Sequence, residues 1–63
     1  MNRLKALRKR LRISQNSLAS KMGVSRMTIH RWESGEREPK LGDLIKLRAI
    51  LGAGVDVLLR FRA

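Results

Sequence analysis

Residues 14–35 read SQNSLASKMGVSRMTIHRWESG: two short apolar-periodic segments, each opened by a serine, with one glycine at the bend. A serine before an apolar-periodic run is a natural N-cap, because its oxygen accepts a free N–H of the first helical turn. Ser14 and Ser25 stand at those positions. Gly23 falls where two helices meeting at a steep angle need one residue with positive φ. Leu18, Ala19 and Met22 line one side of the first segment, and Ile29 and Trp32 line one side of the second. Ala19 is small enough to let two crossed helices approach closely. The spacing predicts a helix-turn-helix.

Working outward, charge gives the motif a context. The chain carries 15 Lys and Arg against 5 Asp and Glu, a formal net charge of +10. No acid occurs before Glu33, whereas Arg3, Lys5, Arg8, Lys9, Arg10, Arg12, Lys21, Arg26 and Arg31 all precede it. The acids Glu33, Glu36, Glu38, Asp43 and Asp56 follow the second segment. A basic run alone is commonly a solvated face. Combined with a helix-turn-helix, whose second helix enters the major groove of DNA, it points to a nucleic-acid partner held with salt-dependent affinity.

At 63 residues the chain is expected to form a single domain over residues 1–63, burying only roughly 60% of its unfolded surface. Without cysteine, disulfides and thiolate metal sites are excluded. No apolar run resembles a signal peptide, and none reaches the ~20 residues of a membrane span. The expectation is a soluble, intracellular protein needing no cofactor. One histidine, no cysteine, no paired carboxylates and no phosphate-cradling glycine loop argue against an enzyme.

Strand signals are weak throughout, so the fold class is all-α. Leu4, Leu7 and Leu11 form the stripe of a first helix of about three turns. Gly35 and Pro39 bracket a loop, and Leu41, Leu44, Ile45, Leu47 and Leu51 form the stripe of a fourth helix ended by Gly52. A fifth, Val55 to Leu59, follows Gly54, with Asp56 complementing its dipole. The expected architecture is five short helices around one core.

The whole chain resembles the lambda-repressor-like, Cro/repressor-type (XRE) family of helix-turn-helix DNA-binding domains. The residues that carry the likeness are Leu4, Leu7 and Arg8; Ser14-Gln15, Leu18-Ala19, Gly23-Val24-Ser25, Ile29, Glu33, Gly35 and Pro39; and Leu44, Leu51-Gly52, Val55-Asp56 and Leu58-Leu59. The ordered set, rather than any one piece, is specific. Several positions depart from the family pattern, among them Ala53 and Gly54, a smaller, looser version of the usual Val-Ser. Arg12 stands near where relatives place the glycine that ends helix one. Lys40 replaces a serine cap before helix four, whose first turn Gly42 weakens. Arg48 stands where a small alanine usually packs.

The resemblance implies roles residue by residue. Gln15 would contact a DNA phosphate through its side chain and backbone N–H. Arg26, Met27 and Arg31 would face base edges: the arginines suit guanine O6 and N7, and Met27 suits a thymine methyl. Thr28 and His30 would lie nearer the groove wall, within reach of phosphate, and Ser25, the cap before them, counts among the DNA-binding residues. Ser34, Arg37 and Lys40 would hold the backbone across the groove, although Glu36 and Glu38 beside them weaken that assignment. Arg8 and Glu33 would form an ion pair orienting the recognition helix. Trp32 reads as core rather than as a stacking platform.

The function this implies is a sequence-specific, duplex-DNA-binding transcriptional regulator of phage or bacterial repressor or Cro type, expected in the cytoplasm of a bacterium or a phage-infected host and associated with the nucleoid. It would bind as a homodimer, at least on DNA, to operator half-sites about 34–36 Å apart. Val57 and Phe61 are candidates for the dimer seam. An antitoxin that represses its own operon would share the same motif, with a toxin as further partner. A non-specific cationic binder of RNA or membrane would account for residues 1–12, but not for Gly23, Gly35 or the later apolar stripes.

Overall fold

The computed structural model describes residues 2–52. Within them the chain folds into α1 (Asn2–Arg10), α2 (Gln15–Met22), α3 (Arg26–Ser34) and α4 (Leu41–Leu51), with no strand among the described residues. The expected fifth helix, with Val57 and Phe61, lies outside the described residues.

The helix ends follow from single side chains. Ser14 and Ser25 hold extended backbone, and their Oγ atoms accept the N–H groups of Ser17 at 3.0 Å and Thr28 at 3.2 Å. Gly23 closes α2 in the left-handed conformation at φ 72°. Its N–H donates to the Ser20 carbonyl and that of Val24 to the Ala19 carbonyl, the paired bonds that absorb the last free carbonyls of a helix. α1 ends in the same way: Arg12 donates to the Lys9 carbonyl and Ile13 to the Arg8 carbonyl, both at 3.0 Å. Here the left-handed residue is Arg12, at φ 58°. With a Cβ that conformation costs about 1–2 kcal/mol, so the departure at position 12 changes the side chain and leaves the turn intact.

α4 starts without a cap from the Lys40 side chain, since an ammonium has no lone pair to accept with. Asp43 supplies the other half of the capping arrangement: its carboxylate accepts the Lys40 N–H at 2.9 Å. An acid three residues after the cap is itself a start signal.

Leu4, Leu18, Ala19, Met22, Ile29, Trp32, Leu47 and Leu51 form the buried core, with Leu7, Ile13, Val24, Leu44 and Ile50 packed against it. α3 packs against both α1 and α2, and α4 against α2. Two apolar stripes are narrower than expected. Leu11 is 43% exposed, because α1 has ended by then and Leu11 stands at the cap. Leu41 and Ile45 are 73% and 62% exposed. At about 100° per residue, Leu44, Leu47 and Leu51 share one line along α4, whereas Leu41 and Ile45 fall well round the helix from it.

Candidate nucleic-acid interface

α3 divides sharply by exposure. Ile29, Trp32 and Glu33 are buried, whereas Arg26, Met27, His30, Arg31 and Ser34 are exposed and Thr28 is half-buried. Exposed positions 27, 30, 31 and 34 recur at helical spacing, so they form one outward face. Burial of the opposite face in the core fixes how that outward face is presented.

A polar cluster locks the same helix at its far end. Arg8 donates from Nε to Glu33 Oε2 at 2.6 Å and from Nη2 to Oε1 at 3.2 Å, a forked pair between α1 and α3. Both side chains are nearly inaccessible to water. Arg8 Nη1 also donates to the Ile13 carbonyl at 2.9 Å, and Gln15 Nε2 donates to Glu33 Oε1 at 3.0 Å. Three elements thus converge on one carboxylate. Burial pushes the Glu33 carboxyl up. Hydrogen bonds from Arg8 and Gln15, with the charges of Arg8 and Lys5, outweigh that and hold its pKa below the ordinary value. Among the described residues no buried side-chain nitrogen or oxygen lacks a partner.

Gln15 therefore has a structural bond that its sequence position did not reveal. Its Oε1 also receives a long 3.4 Å hydrogen bond from Arg26 Nη1, which joins the start of α3 to the start of α2. The first N–H groups of α2 have no intrahelical acceptor. Ser14 occupies that of Ser17, so the Gln15 and Asn16 N–H groups are left at an end suited to anions.

The serines are committed locally. Ser25 Oγ caps α3 and shares a 3.1 Å hydrogen bond with Thr28 Oγ1. Ser34 Oγ donates to the Arg31 carbonyl at 3.1 Å and accepts the Glu36 N–H at 3.3 Å, so its one hydroxyl proton is already used. Arg31 is exposed and stands 3.8 Å from Glu36. No acid lies three or four residues from Arg31 on its own helix. The pair arises because Gly35, at φ 83°, turns the chain back after α3. At such exposure it holds the guanidinium only loosely. Arg37 and Lys40 are exposed in and just after the loop.

The described residues contain no group of three or more His, Cys, Asp or Glu placed to hold a metal. No helix among them is long and apolar enough to cross a membrane.

Comparison with known proteins agrees with this geometry. A family model described as helix-turn-helix matches residues 4–58. Repressor protein C2 of Salmonella phage P22 is 40% identical over 58 residues, covering 92% of this chain and 27% of that protein. The uncharacterized HTH-type transcriptional regulator YqaE of Bacillus subtilis is 37% identical over 57 residues, 90% of this chain and 49% of the relative. An SPbeta prophage-derived regulator of the same bacterium, YonR, is 40% identical over 58 residues, 92% of this chain and 54% of the relative. The chain thus spans between about a quarter and about half of the length of these curated relatives. No solved structure gives a significant match. With the motif, its caps and the family match in agreement, the chain belongs to the XRE-type, lambda-repressor-like family of helix-turn-helix DNA-binding domains.

Proposed function

We propose that the chain reads duplex DNA for a transcriptional repressor of phage or bacterial type, with α3 seated in the major groove. The observation that carries this reading is the outward face of α3. Arg26, Met27, His30 and Arg31 are exposed on a helix whose opposite face is buried and whose end is tied to α1 and α2 through Glu33. Acid-free sequence through Trp32 lets that face approach a polyanion. The P22 relative is itself called a repressor.

In this reading Arg26 and Arg31 meet guanine O6 and N7, each such pair giving about 1–3 kcal/mol of discrimination. Met27 packs on a thymine methyl. Gln15, Thr28 and His30 anchor phosphates, as do Arg37 and Lys40 across the groove. Arg31 leaves Glu36 at little cost, because an exposed pair of that kind contributes about 0–1 kcal/mol. Ser25 and Ser34 contribute mainly by shaping the helix ends, since their hydroxyls are already engaged there. Two copies bind as a dimer on half-sites about 34–36 Å apart.

The test is a salt titration on two duplexes, one enriched from a random pool and one scrambled. A repressor head shows a gap of at least about 10³-fold between them at physiological salt. Equal affinity for both would make the chain a non-specific cationic binder. Gln15→Ala is expected to weaken binding to every duplex alike.

A further inference from the structure

Arg12 is the one non-glycine residue among the described residues held at positive φ. Its conformation is over-determined by its neighbours. Arg12 N–H donates to the Lys9 carbonyl, Ile13 N–H donates to the Arg8 carbonyl, and Arg8 Nη1 donates to the Ile13 carbonyl. Glycine would take this place without strain, and asparagine with little, so arginine here works against the stability of the turn. A cation near a helix C-terminus is ordinarily explained by the dipole. At α1 that need is met already by Arg8, Lys9 and Arg10 in the last turn, and a further positive charge beside them is repelled.

Nor is Arg12 paired within the described residues. Its side chain is exposed and has no hydrogen bond or ion pair among the described residues. Each acid among the described residues has another partner: Glu33 is held by Arg8 and Gln15, Glu36 stands beside Arg31, Asp43 caps α4, and Glu38 is engaged elsewhere. The residue lies two positions before the Ser14 cap, at the end of α2 where Gln15 meets Arg26 of the recognition helix. The backbone is therefore fixed, the guanidinium is unengaged among the described residues, and the residue stands two positions before the start of the helix-turn-helix.

We infer that Arg12 is a DNA-backbone anchor, its guanidinium taking a phosphate oxygen of the strand that passes the start of α2. The inference rests on the duplex-reading function proposed above and adds to it a residue that makes the α1–α2 turn part of the interface. The stability lost to the left-handed arginine is retained as affinity for the polyanion.

The experiment compares four proteins on the enriched duplex: the parent, Arg12→Gly, Arg12→Lys and the charge control Lys46→Gln, an exposed position on α4. Affinity is measured from about 0.05 to 1 M salt, and thermal unfolding without DNA. Arg12→Gly is expected to raise Tm by about 4 °C. It should also lower the slope of log K against log salt by about 0.9 and weaken binding about five- to tenfold near 0.1 M. Arg12→Lys should keep the parental slope, and Lys46→Gln should leave it near the parental value. Unchanged affinity and slope in Arg12→Gly, or an equal loss in Lys46→Gln, would overturn the assignment of Arg12 while leaving the proposed function standing. A parent protein with no salt-dependent affinity for duplex DNA would overturn that function, and this inference with it.

Discussion

Glu33 is the first acid of the chain and one of its two buried charged residues among those described, the other being its partner Arg8. Removing one member of a buried pair leaves the other charge uncompensated, which typically costs about 3–5 kcal/mol. Glu33→Gln keeps the shape and one acceptor, so a loss of about 3 kcal/mol in urea unfolding at pH 7 is expected. An unchanged unfolding midpoint would mean that the pair is energetically idle. The same carboxylate sets an acid limit. Its folded pKa lies below its ordinary value of 4.5, so the unfolded chain binds the proton more readily. Its contribution is complete above about 4.5 and is lost as pH falls through the lower folded value. Across that window parental stability should drop toward that of Glu33→Gln, whose own curve is flatter. The family resemblance indicated the partner on α1, and the lone acid beside a basic face agrees with the need for one. It did not indicate Gln15, whose contact with Glu33 exists only because α2 and α3 cross there.

Helix ends were the most legible elements, because a cap is a local bargain between one side chain and a few N–H groups. Ser14, Ser25, Gly23 and Gly52 act where their chemistry places them. The start of α4 was harder to read: Lys40 and Gly42 suggest weakness, while the compensation comes from Asp43. Apolar stripes were less legible than caps. Periodicity marks the residues able to face a core, but the partner helices decide how wide a face is covered, and on α4 they leave Leu41 and Ile45 outside. Two glycine substitutions separate backbone strain from packing. A Cβ at Gly23 or at Gly42 meets nothing within 4 Å, yet only Gly23 of the two has positive φ. Gly23→Ala should therefore lower stability by about 1 kcal/mol. Gly42→Ala should raise it by about 0.5–1 kcal/mol by favouring the helix. Thermal unfolding of the pair checks both signs. Matching shifts would mean that conformation does not control these ends.

Charge and packing act together across the molecule as a whole. Basic residues crowd the first half of the chain and the acids the second, while the described core presents α3 outward rather than enclosing it. Binding that favours the folded state adds stability, about 2.7 kcal/mol at a ligand concentration a hundred times Kd. Cognate duplex should accordingly raise Tm more than scrambled duplex at the same concentration and salt. Fold class was legible because helical periodicity, turn glycines and caps all agree. The candidate interface was legible only as a set of positions: how each guanidinium is held among the described residues depends on Gly35 returning the chain past Arg31 and on Arg12 holding its turn. The central claim is that exposed arginines of α3 meet bases rather than phosphates alone, and Arg31→Ala tests it most directly. Its affinities are measured on a panel of duplexes, each differing from the enriched site by one base pair. The account predicts that discrimination collapses at one base-pair position, by about tenfold to a hundredfold, and survives at the others. A uniform weakening across the whole panel, with every preference intact, would contradict it.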